Sequence, residues 1–155
     1  MKDTPALSDP RLENVPHEVV RHGPVASLEE AAELRGVDPS ALIKAMVVRK
    51  GDDDYVFALV PGDRVIDWPK LRDIVGKRRL SMPDADEALS VTGYVRGTIT
   101  PFGAERPWPV IADERILGTL VSIGGGAHGV SITIDGTCLV SILAATSADI
   151  TKQRA

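Results

Sequence analysis

The run Gly124-Gly125-Gly126-Ala127-His128-Gly129 constrains the fold more than any other stretch, because of what stands on either side of it. Its Gly-x-Gly-x-x-Gly spacing matches a dinucleotide fingerprint, which needs a strand before the glycines and a helix after them. Thr119–Ile123 supplies the strand. Val130-Ser131-Ile132-Thr133-Ile134, however, is β-branched and alternates apolar with polar, so it predicts a second strand rather than a helix. The unit is therefore strand, glycine loop, strand, and a dinucleotide site is not expected. Two readings stay open: a hairpin shaped by packing alone, or a backbone wall of a ligand pocket. Glycine permits the second, since a residue without Cβ lets backbone N–H groups approach a ligand closely.

Further signals punctuate the rest of the chain. Glu18–His22 reads as a short strand. Ser27 with Glu30 forms a capping box for a helix through Arg35, closed by Gly36. Asp38-Pro39-Ser40 starts a helical turn that delivers Lys44. Ala45–Arg49 and Tyr55–Val60 are β-rich runs joined by Lys50-Gly51-Asp52-Asp53-Asp54, a polar hairpin tip that lacks the other ligands of a calcium loop. Asp67 caps a helix over Trp68–Val75 that ends at Gly76, and Asp84 with Glu87 caps another reaching Ser90. Val110–Asp113 is a strand, and Thr137–Ala145 reads as a closing helix with Cys138 on its core side. Helices and strands alternate without a βαβ rhythm, which predicts an α/β fold of the α+β type: a mixed, largely antiparallel sheet with helices around it.

At 155 residues the chain suits one domain with a core of its own, residues 17–155, preceded by an arm over 1–16 that carries three prolines and little periodicity. The single cysteine excludes an internal disulfide. No apolar run is long enough to span a membrane, and the N-terminus is too polar for a signal peptide, so the expected location is the cytoplasm. A net charge of −4 argues against broad nucleic-acid binding and against DNA. Positive charge is nevertheless concentrated at Lys70, Arg72 and Lys77-Arg78-Arg79, either as a solvated surface or as a contact for an RNA end.

The usual catalytic signatures are missing. No Gly-x-Ser-x-Gly elbow is present, and His17 and His22 have no acidic or cysteine partner at metal-ligand spacing. What remains is Lys44 in the apolar stretch Ala41–Val48, a second glycine-containing loop over Gly97–Gly103, and His128 within the first loop. A lysine so placed either snorkels to the surface or points into a cleft, where its ammonium holds a phosphate or carboxylate.

Taken in order, these motifs resemble the YbaK/prolyl-tRNA-synthetase-associated editing domain family, known for aminoacyl-tRNA deacylation. The similarity spans residues 17–150. It rests on Ile43-Lys44-Ala45-Met46-Val47-Val48, the Val60-Pro61-Gly62-Asp63 turn, Thr92–Gly103 with Gly97 and Pro101 as a Gly-x-x-x-Pro loop, Gly124–Gly129, and Ala148-Asp149-Ile150. The resemblance implies a barrel-like mixed sheet with the pocket between the lysine strand and the Gly-x-x-x-Pro loop. It implies catalytic roles for Lys44, Gly97, Thr98, Pro101 and His128, and substrate contacts from Thr100, Phe102, Gly124, Gly125, Gly126 and Gly129. His128 lies near a histidine used in the editing domains inserted into prolyl-tRNA synthetases, which many freestanding members lack.

No cofactor or metal is implied. The implied partner is the acceptor end of a mischarged tRNA, with prolyl-tRNA synthetase as a second candidate and no membrane or DNA. The expected activity is trans-editing hydrolysis of the ester of a tRNA carrying a small amino acid, for example Cys or Ala on tRNA-Pro. The rivals are an inactive tRNA- or synthetase-binding module and a small-molecule ester hydrolase.

Overall fold

The computed structural model describes residues 4–154. Its centre is the hairpin of β2 (Leu42–Gly51) and β3 (Asp54–Pro61), paired antiparallel from Ile43↔Pro61 outward, with a register shift between Arg49 and Gly51. Side chains alternate across a strand, and here both sets are covered. Ile43, Val47, Tyr55, Phe57 and Leu59 enter the larger core, while Val48, Val56, Ala58 and Val60 enter a second core on the opposite face. This explains why β3 reads as one continuous apolar run.

Around the hairpin a seven-stranded sheet takes the order β1-β7-β6-β2-β3-β5-β8. It adds β1 (Glu18–Arg21), β5 (Val110–Asp113), β6 (Leu120–Gly124), β7 (Val130–Asp135) and β8 (Thr146–Ala148). The long ladders, β2 with β3 and β6 with β7, are antiparallel, and the parallel junctions are short. The sheet is mixed as expected but open rather than closed into a barrel: β1 and β8 are its two edges. A separate ribbon pairs β4 (Arg64–Ile66) with β9 (Thr151–Gln153). β4, β8 and β9 hold three residues each, too short to show a periodicity in the sequence.

Among the described residues four helices form, and the first three begin at the caps that the sequence offers. α1 (Leu28–Arg35) starts where Ser27 accepts from the Glu30 amide at 3.1 Å, and it closes on Gly36 at φ 77°. α2 (Trp68–Val75) starts at Asp67 and α3 (Ala85–Thr92) at Asp84. α4 is Gly136–Ile142, capped by Asp135 through the Cys138 amide at 3.0 Å. The expected helix through Ala145 stops earlier. Ala144 takes φ 51° and the Ala145 amide reaches back to the Val140 carbonyl, a Schellman-type closure built without glycine, so its apolar sequence conceals the end. Cys138 packs half-buried against the larger core.

The N-terminal segment does more than trail. Two 3₁₀ turns, Ala6–Ser8 and Pro10–Leu12, bury Ala6 and Leu12 in the larger core. At the other end, the buried Asp113 carboxylate accepts from the Thr151 hydroxyl at 2.7 Å and the Ile150 amide at 3.3 Å. Asp149, from the Ala148-Asp149-Ile150 motif, pairs with Lys70 at 2.8 Å and Arg115 at 3.0 Å, which together hold its carboxyl down to about 2.

Gly136 is the tightest backbone approach in the fold: a Cβ there would lie 1.9 Å from the Ile116 carbonyl oxygen. Gly136→Ala is expected to cost at least about 2–3 kcal/mol, at the upper end of overpacking substitutions, because backbone rather than a movable side chain must yield. Urea denaturation of the variant checks this, and a midpoint equal to the parent's would show that the turn before α4 adapts freely.

Candidate functional site

Where the two glycine loops meet, a cavity of about 570 Å³ opens. Gly97 and Thr98 form one wall; Gly124 and Ala127–Val130 form the second. His22–Val25, which continue β1, and Arg35 at the end of α1 complete it. The loops touch through a position that only glycine suits. Gly97 has φ 89°, and a methyl group there would stand 3.2 Å from His128 Cε1. His128 itself is exposed.

The cavity is rich in unengaged donors. The turn between β6 and β7 is closed by Gly125 N–H to the Val130 carbonyl at 2.8 Å and Val130 N–H to the Ala127 carbonyl at 3.1 Å. Among the described residues, the N–H groups of Gly97, Ala127, His128 and Gly129 then meet no protein acceptor. A concave wall of free amides favours negative charge.

The Gly97–Gly103 loop is held from below. Thr98 is buried, with its amide and hydroxyl both donating to the Val95 carbonyl, at 3.0 and 2.7 Å. Thr100 and Phe102 are fully buried, and Thr100 Oγ1 accepts from the Phe102 amide at 3.3 Å. Tyr94 donates its hydroxyl to the Phe102 carbonyl at 2.7 Å; burial, with the Asp9 carboxylate nearby, pushes it up to about 12, so it remains a donor.

The N-terminal segment supplies the rest of the brace. Asp9 accepts from the Gly103 amide at 2.8 Å, and Arg11 donates to the Pro101 carbonyl at 3.1 Å while lying 5.5 Å over the Phe102 ring. Thr4 donates its hydroxyl to the Gly125 carbonyl, tying the other loop to the same segment. Nothing in the spacing of residues 4–11 announces this, because their partners lie about ninety residues or more away.

Lys44 does not line the cavity. Its Nζ donates to the Arg64 carbonyl at 2.9 Å, and burial, with Arg154 nearby, holds its pKa below the ordinary lysine value against the opposing pull of Asp63. Its backbone is nevertheless in place. β2 and β6 run parallel with Leu42↔Ser122 and Ile43↔Ile123 in register. Lys44 and Gly124 are the next residues along these two strands.

Of the residues expected at the site, Gly97, Thr98, Gly124, His128 and Gly129 line the cavity. Pro101, Thr100 and Phe102 are buried behind it, and Gly125 and Gly126 face Val130, Tyr94 and Thr4. His22 and Arg35 line it without having been singled out by a motif. The basic cluster lies elsewhere: Arg72, Arg78 and Arg79 border a separate cavity with Arg49, Lys50 and Gly51, at the opposite end of β2 from Lys44. Among the described residues, no three His, Cys, Asp or Glu side chains gather as a metal-binding group, and no helix is long and apolar enough to cross a membrane.

Comparison with known proteins identifies the family. A family described as the aminoacyl-tRNA editing domain matches residues 22–142. A protein of Enterococcus faecalis named as a candidate Cys-tRNA(Pro)/Cys-tRNA(Cys) deacylase is 26% identical over 128 residues, covering 82% of this chain and 78% of that protein. The proline–tRNA ligase of Heliobacterium modesticaldum is 34% identical over 123 residues, 77% of this chain, but the match spans only 21% of the ligase. A solved structure described as a candidate trans-editing enzyme for prolyl-tRNA synthetase superposes with a TM-score of 0.81 at 26% identity, covering 88% of this chain and 87% of that one.

The Asp9 brace has a pH signature. Burial alone would raise the Asp9 carboxyl, but hydrogen bonds from Arg11 and Gly103 outweigh it and hold the pKa below the ordinary value. A depressed folded pKa gives stability that is fully present above the unfolded pKa and is lost as pH falls through the folded one. Asp9→Asn should therefore lower Tm at neutral pH and remove part of the acid-induced decline below about pH 4. Melting curves for both proteins across the acid range check this; parallel profiles would take Asp9 out of the brace.

Proposed function

We propose, since this chain belongs to the aminoacyl-tRNA editing domain family, that it is a deacylase acting in trans on mischarged tRNA and hydrolysing the ester to a small amino acid. The observation that carries the reading is the cavity itself: two loops in contact through Gly97 and His128, walled by free backbone amides. The name of the Enterococcus relative, a candidate Cys-tRNA(Pro)/Cys-tRNA(Cys) deacylase, supports cysteine on tRNA-Pro as the first substrate to test. The match to part of a proline–tRNA ligase supports a synthetase as a possible second partner.

An aminoacyl-tRNA ester is already activated, so the chemistry asked of the protein is modest. Water attacks the carbonyl carbon, the bond to the ribose oxygen breaks, and the proton passes to that oxygen, leaving free amino acid and a ribose hydroxyl. The Gly97 amide is assigned to the developing oxyanion; one well-aimed donor of this kind lowers a barrier by about 3–4 kcal/mol. Holding water and the neighbouring ribose hydroxyl in line adds to this. His128, across from Gly97, borders the aminoacyl group, and Gly124 and Gly129 set the room available to it. Pro101, Thr100 and Phe102 act from behind by fixing the loop, as Gly125 and Gly126 do for the other wall. Lys44, turned toward the mouth, takes the ribose or phosphate of the terminal nucleotide as a point charge.

Two substitutions test the roles. Lys44→Ala should lower deacylation of Cys-tRNA-Pro by about 10² or more with the fold intact, since a desolvated charge-assisted contact and its positioning are lost together. A folded variant turning over at the parent's rate would remove Lys44 from the site.

Gly97→Ala should reduce the single-turnover rate by about 10²–10³ while changing tRNA affinity little, because the methyl group intrudes beside His128 at the reacting carbonyl. The positive φ adds a stability cost of about 1 kcal/mol, so Tm is measured on the same preparation. A variant that melts early yet hydrolyses normally in the cold would leave Gly97 a purely conformational role.

A further inference from the structure

Among the described residues, Arg35 is the lysine or arginine that lines the cavity, and its surroundings say what it is for. It ends α1, and its guanidinium is half-buried: Nε donates to His22 Nε2 at 3.4 Å and one terminal nitrogen to Ser122 Oγ at 3.5 Å. Both contacts are long, and neither carries negative charge. Arginine only donates, so His22 Nε2 must be the acceptor; the ring proton then sits on Nδ1, which donates to the Gly23 carbonyl at 2.8 Å. Among the described residues no carboxylate pairs with Arg35. Burial alone displaces its pKa, downward, the mark of a charge whose water is partly removed and not replaced by an anion. Arginines that are buried in the structural sense are normally paired; this one faces a cavity instead.

The register of the sheet places it further. Ser122, its neighbour, lies two residues before the cavity-lining Gly124 on β6. Arg35 thus lies against the part of β6 that leads into the glycine loop, beside the cavity wall, while the Lys44 ammonium is engaged with the Arg64 carbonyl.

We infer that Arg35 is a binding residue for an oxyanion of the substrate, the phosphodiester preceding the terminal nucleoside of the tRNA acceptor end, held by the fork of its guanidinium with His22 fixing the fork's orientation. The inference rests on the deacylase reading above and adds to it a phosphate subsite apart from Lys44. The other source of such an oxyanion is a carboxylate in the side chain of the aminoacyl group.

The test compares the parent with Arg35→Gln and Arg35→Lys on two esters: cysteinyl-tRNA and cysteinyl-adenosine, which lacks the phosphate. Arg35→Gln should raise KM for the tRNA about tenfold with kcat nearly unchanged, and leave cysteinyl-adenosine unaffected. Arg35→Lys, which keeps the charge without the fork, should fall between. Titration with a CCA trinucleotide should show a salt dependence shallower by about 0.7 in the Gln variant, one phosphate contact fewer on a single strand. Replacing the last phosphodiester of the trinucleotide by a neutral methylphosphonate should weaken binding to the parent protein and not to the variant, a comparison that requires no activity.

Aspartyl and glutamyl esters of the same tRNA are assayed alongside; equal effects on both cysteinyl esters, an unchanged salt slope, or an effect confined to the aspartyl and glutamyl esters would each overturn the assignment. Hydrolysis of no ester by the parent protein would instead fail the deacylase reading, and the trinucleotide titration tells the two failures apart.

Discussion

Everything at the site hangs on the β2–β3 ladder being buried on both of its faces. A hairpin with apolar side chains on alternate sides cannot leave either side in water, so each must be covered. One face receives α2 and the β4–β9 ribbon, with Thr151 of β9 locked by the buried Asp113 carboxylate. The other receives β6, β7, α3 and the N-terminal 3₁₀ turns. Tyr55 shows how the cover is fastened: its ring meets Trp108 edge-on at 5.0 Å, its hydroxyl donates to Glu87 on α3, and Trp108 donates to the Val91 carbonyl at 2.7 Å. The parallel junction of β2 with β6, only two register pairs long, then joins the lysine strand to the strand that leads into the glycine loop.

Backbone groups dominate the cavity because the fold makes close backbone approaches affordable there. Gly97 at positive φ abuts His128, Gly129 comes so near the His22 carbonyl that a Cβ would lie 2.3 Å from it, and Gly124 faces the Ile99 carbonyl with space between. Such loops have little stiffness of their own. The stiffness comes from polar contacts made by residues 4–11, which reach Gly125, Pro101 and Gly103. Donors that are already fixed need not reorganise as charge develops, which is how a site without a conventional nucleophile accelerates a reaction.

Charge is distributed with the same economy. The chain is acidic overall, yet Arg35 stands at the cavity, whereas Arg72, Arg78 and Arg79 lie at the far end of β2. A negative protein carrying local positive ground repels polyanions in general and admits one where it is wanted.

The sequence by itself determined the local grammar. The caps at Ser27, Asp67 and Asp84, the glycine that ends α1, and the two strands flanking Gly124–Gly129 each depend on neighbours within a few residues. So does the exclusion of a dinucleotide helix after the glycines, and the ordered motifs carried the family. Only the tertiary structure decided what lies across the chain. It opened the barrel into a sheet with two edges, because β1 and β8 find no common ladder. It buried Thr100 and Phe102 behind the loop, brought His22 and Arg35 into the cavity, and turned Lys44 toward Arg64. It also made the N-terminal segment a brace. These outcomes depend on partners tens of residues apart, whose meeting is fixed by strand order and by the competition for buried space rather than by any periodicity a single strand or helix can display.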